Sequence, residues 1–171
     1  QMKSGWSQDF NYVVVLASEK SLAVMVADPV KKEVRVLDLP GNLMLPVVGM
    51  KGELKATSVW KFGEGEGNPI SITKRSVESL LGIKVDGLVY TRSLNDAKVN
   101  GKTFVRPSVT DISGVDNFRL TRFIMSLRED QTRRIELSDQ GEVKVLPDGM
   151  EVREIEWARL EGTRREFVNE K

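Results

Sequence analysis

Apolar residues fall along the chain in two rhythms. Asn11 to Ala17 is rich in valine and opens with Tyr12, and Leu22 to Ala27 is a second apolar run ended by Asp28-Pro29. Both predict strands. Glu33 to Leu39 alternates polar and apolar, the period of a half-buried strand. The polar turn from Pro29 to Lys32 predicts an antiparallel hairpin, and Pro40-Gly41-Asn42 stops its second strand because proline cannot donate to a ladder. The stretch from Leu43 to Pro69 is loop-rich, with Leu54 to Trp60 as a short helix or turn inside it. Long connections of that kind are often functional or mobile.

Helical spacing begins after Pro69. Ile72, Val77, Leu80 and Leu81 supply a core side, Ser71 or Thr73 a cap, and Gly82 stands where a C-terminal glycine belongs. Ile83 to Tyr90 reads as a strand, and a helix running directly into a strand favours layered α/β architecture. A polar connection runs from Arg92 to Pro107. Ser113 and Asp116 have capping-box-like spacing ahead of Leu120, Phe123, Ile124 and Leu127, an amphipathic stripe read as a core face. Arg133 to Leu137, Glu142 to Leu146 and Met150 to Ile155 read as short strands separated by turn sequences. The expected fold is therefore α/β, a layered, mixed central β-sheet flanked by helices with a small C-terminal β-meander. Residues 1–155 are taken as a single domain and 156–171 as a charged C-terminal tail or helix.

Composition narrows the chemistry. The chain has 171 residues, 26 Lys plus Arg and 25 Asp plus Glu, for a net charge of +1, unlike the basic footprint of a nucleic-acid binder. It has no His and no Cys. A Ser–His–Asp triad, a Cys–His dyad and a zinc site of the usual kind are excluded within it. Acid–base work would fall to Asp, Glu, Lys or Tyr, and a metal would need oxygen ligands. Val13 to Ala17 is strand-length, far short of the roughly 20 apolar residues of a spanning helix. The chain opens with Gln1 rather than Met and reads like an excised fragment, so an N-terminal anchor or leader is compatible with it.

Two local features invite a ligand. Gly63-Glu64-Gly65-Glu66-Gly67 is glycine-rich, but no Gly-Lys-Ser/Thr follows it, so it is not a phosphate loop. A flexible surface loop is the plainer reading, with Glu64 and Glu66 as Mg²⁺ ligands the sharper one. Lys55, Lys61, Arg75, Arg92 and Arg106 are the cations nearest the loops. An arginine can hold phosphate bidentately and a lysine as a point charge, although solvated surface charge is the commoner role. Trp60 and Phe62 line either a pocket mouth or the core edge.

The order of these signals resembles the LytR-CpsA-Psr (cell envelope-related transcriptional attenuator) family from about Tyr12 to Thr91. The residues that carry it are Ala17-Ser18-Glu19-Lys20-Ser21, the Leu22 to Asn42 hairpin, Glu53 to Trp60 with the glycine run, and Ser76 to Tyr90. The resemblance implies an extracytoplasmic α/β domain tethered by an N-terminal membrane helix. Family members transfer glycopolymers from a polyprenyl-pyrophosphate carrier to the cell wall, with the lipid in an apolar pocket and Arg, Asp and Mg²⁺ on the pyrophosphate. This chain departs from the pattern. Where the family has Arg-Ser-Asp-Thr it has Ser18-Glu19-Lys20-Ser21, and where the family has Pro-Arg-Asp it has Pro40-Gly41-Asn42. Lys55 matches a family lysine, and Gly101 to Arg106 is a faint match to the start of a later arginine-rich segment.

Together with these departures, the resemblance implies a catalytically degenerate, membrane-anchored relative, a pseudoenzyme at the extracytoplasmic face of the bacterial cell membrane or in the cell envelope. It would bind a polyprenyl phosphate or scaffold an envelope protein, and would take no nucleic acid. The expected substrate-binding residues are Lys20, Lys55, Arg92 and Arg106. No catalytic residue, metal ligand or cofactor is assigned. Two alternatives stand beside it. One is an active phosphotransferase in which those cations hold the phosphates with help from Glu19 or Asp38 and from Mg²⁺. The other is an unrelated α/β protein-interaction module.

Overall fold

The computed structural model describes residues 5–92, 108–137, 141–155 and 157–168. Strands β1 (Tyr12–Ala17), β2 (Leu22–Asp28) and β3 (Glu33–Leu39) form an antiparallel meander. A small hairpin of β4 (Met44–Pro46) and β5 (Glu53–Lys55) leads into helices α1 (Ala56–Gly65) and α2 (Pro69–Leu81). Next come β6 (Gly87–Tyr90), β7 (Val109–Thr110), α3 (Gly114–Ser126) and β8 (Thr132–Glu136). A hairpin of β9 (Glu142–Val145) and β10 (Glu151–Glu154) precedes α4 (Trp157–Val168). The central sheet runs β7-β6-β1-β2-β3-β8. β6 is parallel to β1 and β8 parallel to β3, with the other neighbours antiparallel. It is the mixed sheet expected.

Every residue of β1 and β2 is buried. Sheets covered on both faces read as continuous apolar runs, which accounts for the valine-rich segments. Val15, Val24 and Leu37 pack under α1, α2 and α4, while Val14, Met25 and Val36 pack under α3 with Leu120 and Ile124. The result is three layers, helices over sheet over helix.

Four local outcomes differ from the sequence pattern. The alternation in β3 places Arg35 toward water, yet Arg35 is 2% exposed. Its Nε donates to the carbonyl of Phe167 in the last turn of α4 (2.6 Å), and its Nη1 meets Asp28 (3.4 Å) and Glu33. The first strand of the expected C-terminal meander joins the central sheet beside β3, with Leu37 opposite Ile135, and only β9 and β10 remain as a hairpin. The first three residues of the glycine run are the end of α1, and Glu66-Gly67 form the turn that follows it. Gly63 is needed there because a Cβ would lie 2.6 Å from the Cα of Pro69. Finally, α2 starts at Pro69 with Asn68 as N-cap, ahead of Ser71 and Thr73, since proline suits the first helical position. Gly82 closes that helix at φ +63 as expected, and Ser113 caps α3 by accepting from Asp116 N (3.1 Å). The charged segment after Glu156 includes α4, whose Leu160 and Phe167 are buried in the core. Among the described residues no helix is long and apolar enough to cross a membrane.

Candidate functional site

The parallel strands β1, β3 and β6 end at one edge of the sheet. The segments that follow them, Ser18 to Ser21, Pro40 to Asn42 and Thr91-Arg92, therefore share that edge. Thr91 N donates to the carbonyl of Ala17 (3.0 Å), which ties the third segment to the first. Ser18 makes the first turn rigid: its Oγ accepts from Lys20 N (3.3 Å) and Ser21 N (3.0 Å) and contacts Ser21 Oγ (2.7 Å). Ser18 is buried by this, while Glu19 and Lys20 stand exposed at the tip.

The start of α1 completes the corner. Ala56 N donates to Leu43 O (2.8 Å), and Thr57 donates to Gly41 O through its N–H (3.3 Å) and its Oγ1 (3.2 Å). These first helical donors are taken up by backbone, so they do not form an open anion cradle. A Cβ on Gly41 would sit 2.9 Å from Thr57 Cγ2, so the side-chain-free residue at position 41 is built into the packing.

Beside the corner, Trp60 stacks on Tyr90 with ring centroids 4.2 Å apart and planes 7° from parallel. Trp60 Nε1 donates to Glu64 Oε1 (3.0 Å). Trp60 is 6% and Tyr90 8% exposed, so the pair fills the core edge rather than a pocket mouth. Burial raises the Tyr90 phenol, Glu19 and Glu64 raise it further, and Arg92 works against them. Glu19, Glu64 and Arg92 thus all act on the Tyr90 phenol.

The four expected phosphate-binding residues fare differently. Lys20 and Arg92 are both exposed at this edge. Lys55, the N-cap of α1, directs its Nζ to Met150 Sδ (3.8 Å), beside the β9–β10 hairpin. Arg106 lies outside the described residues. Of the two assisting carboxylates, Asp38 is held by Arg134 of β8, with Nη2 to Oδ1 at 2.9 Å, and Glu19 stays exposed. Among the described residues no cluster of three or more carboxylates could hold a metal. Two features were missed in the sequence: the Trp60–Tyr90 stack, which needs contacts between distant segments, and a cleft of about 430 Å³. The cleft opens behind Asn42 between β4, α2, β10 and α4, with Leu43, Pro46, Leu80 and Leu160 as apolar wall and Glu53 and Glu154 as acidic rim. Its size is in the range of small-molecule sites.

This three-layer domain has the fold of LytR-CPS2A-Psr proteins. TagT of Bacillus subtilis matches it with a TM-score of 0.73 at 16% identity, over 99% of this chain and 94% of TagT. TagV of Bacillus subtilis matches with a TM-score of 0.68 at 13% identity, over 94% of this chain and 98% of TagV. The LytR-CPS2A-Psr family protein YwtF (TagT) with bound octaprenyl pyrophosphate lipid matches with a TM-score of 0.72 at 16% identity, over 99% of this chain and 93% of that one. By sequence, no family model and no curated protein matches.

Proposed function

We propose that this chain is a membrane-anchored, extracytoplasmic LytR-CpsA-Psr-like domain of cell-envelope glycopolymer assembly that binds a polyprenyl phosphate without transferring it. The observation that carries the reading is the corner itself. The fold matches, over nearly the whole chain, a protein seen with octaprenyl pyrophosphate. At the sheet edge where the family resemblance implies Arg and Asp, this chain presents Ser18 and Lys20 in the first turn and Gly41-Asn42 in the second.

The chemistry follows from those substitutions. A divalent cation needs carboxylate oxygens, and an ammonium near its seat repels it. Lys20 supplies positive charge itself, and Arg92 lies at the same edge, so a phosphate can be neutralised without metal. Phosphoryl transfer asks for more than neutralisation, since charge developing on several oxygens must be stabilised by groups already in position. Asp38 is engaged by Arg134, which holds that carboxylate away from the task. The cleft that begins at Leu43 offers apolar wall for part of an isoprenoid chain.

The test is native mass spectrometry of the purified domain with a polyprenyl phosphate, with and without Mg²⁺. Metal-independent binding is expected. Binding that appears only with Mg²⁺ would replace this reading with that of an active transferase. Absence of binding in both conditions would leave a protein-interaction module.

A further inference from the structure

Helix α3 has two apolar faces. Leu120, Phe123 and Ile124 face the sheet and are partly or fully buried. On the opposite side Val115, Phe118, Arg122 and Met125 recur at i, i+3, i+7 and i+10, which places them on one line along the helix. Phe118 is 67%, Met125 72% and Val115 49% exposed. The outward face of a surface helix is ordinarily polar. Apolar side chains gathered on such a face with charge beside them mark an interaction site.

Charge selects the occupant. Arg119 and Arg122 are both exposed on this side. The one acid in the helix, Asp116, is turned inward, where its carboxylate accepts from Gly5 N (3.0 Å) and Trp6 N (3.2 Å). A second copy of the chain would set Arg122 against its own like charge, with no carboxylate of this helix on the outer face. An anionic bilayer suits both halves of the pattern. Phe, Met and Val enter the headgroup boundary, and Arg122 reaches lipid phosphates.

The segment ahead of β1 packs on the inner side of this helix and leaves its outer face exposed. Gly5 and Trp6 are fastened to the first turn of α3, and the Trp6 ring lies 5.5 Å from the rings of both Tyr12 and Phe123. We propose that the outer face of α3 docks on an anionic lipid bilayer. The idea rests on the proposed function in that a domain at the extracytoplasmic membrane surface has a bilayer within reach.

The test is co-sedimentation of the whole chain with phosphatidylglycerol/phosphatidylcholine vesicles that contain no polyprenyl lipid, against phosphatidylcholine alone. Preference for the anionic vesicles is expected, weakening as salt is added. R122E should reduce binding about fivefold or more. F118S/M125S should reduce it about tenfold or more. Thermal unfolding should be unchanged in both, because the replaced side chains are exposed. No preference for anionic vesicles, or equal binding by all variants, overturns the proposal. So does a lipid-free dimer in sedimentation equilibrium that F118S/M125S dissolves, because the occupant is then a second copy. Polyprenyl-phosphate uptake is read separately by mass spectrometry. Vesicle binding without that uptake sustains the docking face while the functional reading falls.

Discussion

The two ends of the central sheet hold similar charges in opposite circumstances. At one end Arg35 is buried, paired with Asp28 and Glu33, and bonded to the end of α4 through the carbonyl of Phe167. At the other, Lys20 and Arg92 stand in water beside a buried aromatic pair. A buried charge without partners is costly, so a buried guanidinium must be met by carboxylates and carbonyls. Exposed cations contribute little to stability, as surface charges generally do. Residue type alone does not separate a structural cation from a binding one, whereas burial and partners do.

The comparison is most easily broken at Arg35. Truncation in R35M leaves Asp28 buried without its cation and frees the last turn of α4. A loss of about 3–5 kcal/mol is expected from such a broken pair, measured by urea unfolding. A loss no larger than that of an ordinary surface substitution would show that the pair does not hold the helix. The next largest effect belongs to Gly41 on the opposite end. A methyl there meets Thr57 Cγ2 at 2.9 Å, so G41A should lose about 1–3 kcal/mol by overpacking. Adding T57S, which removes that methyl but keeps the hydroxyl bond to Gly41, should restore most of it. If T57S does not rescue, the clash is not the reason for glycine at this position.

Alkaline pH probes both ends together. Tyr12 lies at the Arg35 end and its phenol is raised by burial, then by Asp116, Asp86 and Asp111. Tyr90 lies at the Lys20 end, raised by burial, Glu19 and Glu64, with Arg92 opposing. Both phenols ionise less readily folded than unfolded. Their contribution is thus complete below roughly pH 10 and is lost as pH rises beyond it. Y12F should resist alkaline unfolding more than Y90F, because Arg92 works against the shift of Tyr90. Equal resistance would mean that Arg92 does not reach Tyr90 effectively.

Much of the fold was legible because burial on both faces leaves a plain mark. Asn11 to Ala17 and Leu22 to Ala27 read as strands from their apolar runs, and Gly82 and Ser113 ended and began helices as their chemistry dictates. The pattern failed where a distant partner overrode it. Alternation in β3 sent Arg35 to solvent because α4, lying 132 residues further on, is invisible to a local period. Glycines at 63 and 65 suggested a loop, yet contact with Pro69 makes the first of them helical packing. For the same reason the corner was legible as a sequence of turns, while the direction of Lys55 toward Met150 was not.

The smallest effect on stability, and the most informative for function, belongs to the exposed cations. K20E/R92E should change unfolding free energy by no more than about 0.5 kcal/mol. Its affinity for a polyprenyl phosphate should nevertheless fall about tenfold or more, since hydrogen bonds to a charged phosphate are lost. K55A supplies the internal contrast, because Lys55 points to the β9–β10 hairpin and should leave affinity unchanged. If K55A weakens binding while K20E/R92E does not, the phosphate lies over the cleft that opens behind Asn42. The sheet edge would then be a scaffold like the Arg35 end, and the contrast between the two ends would disappear.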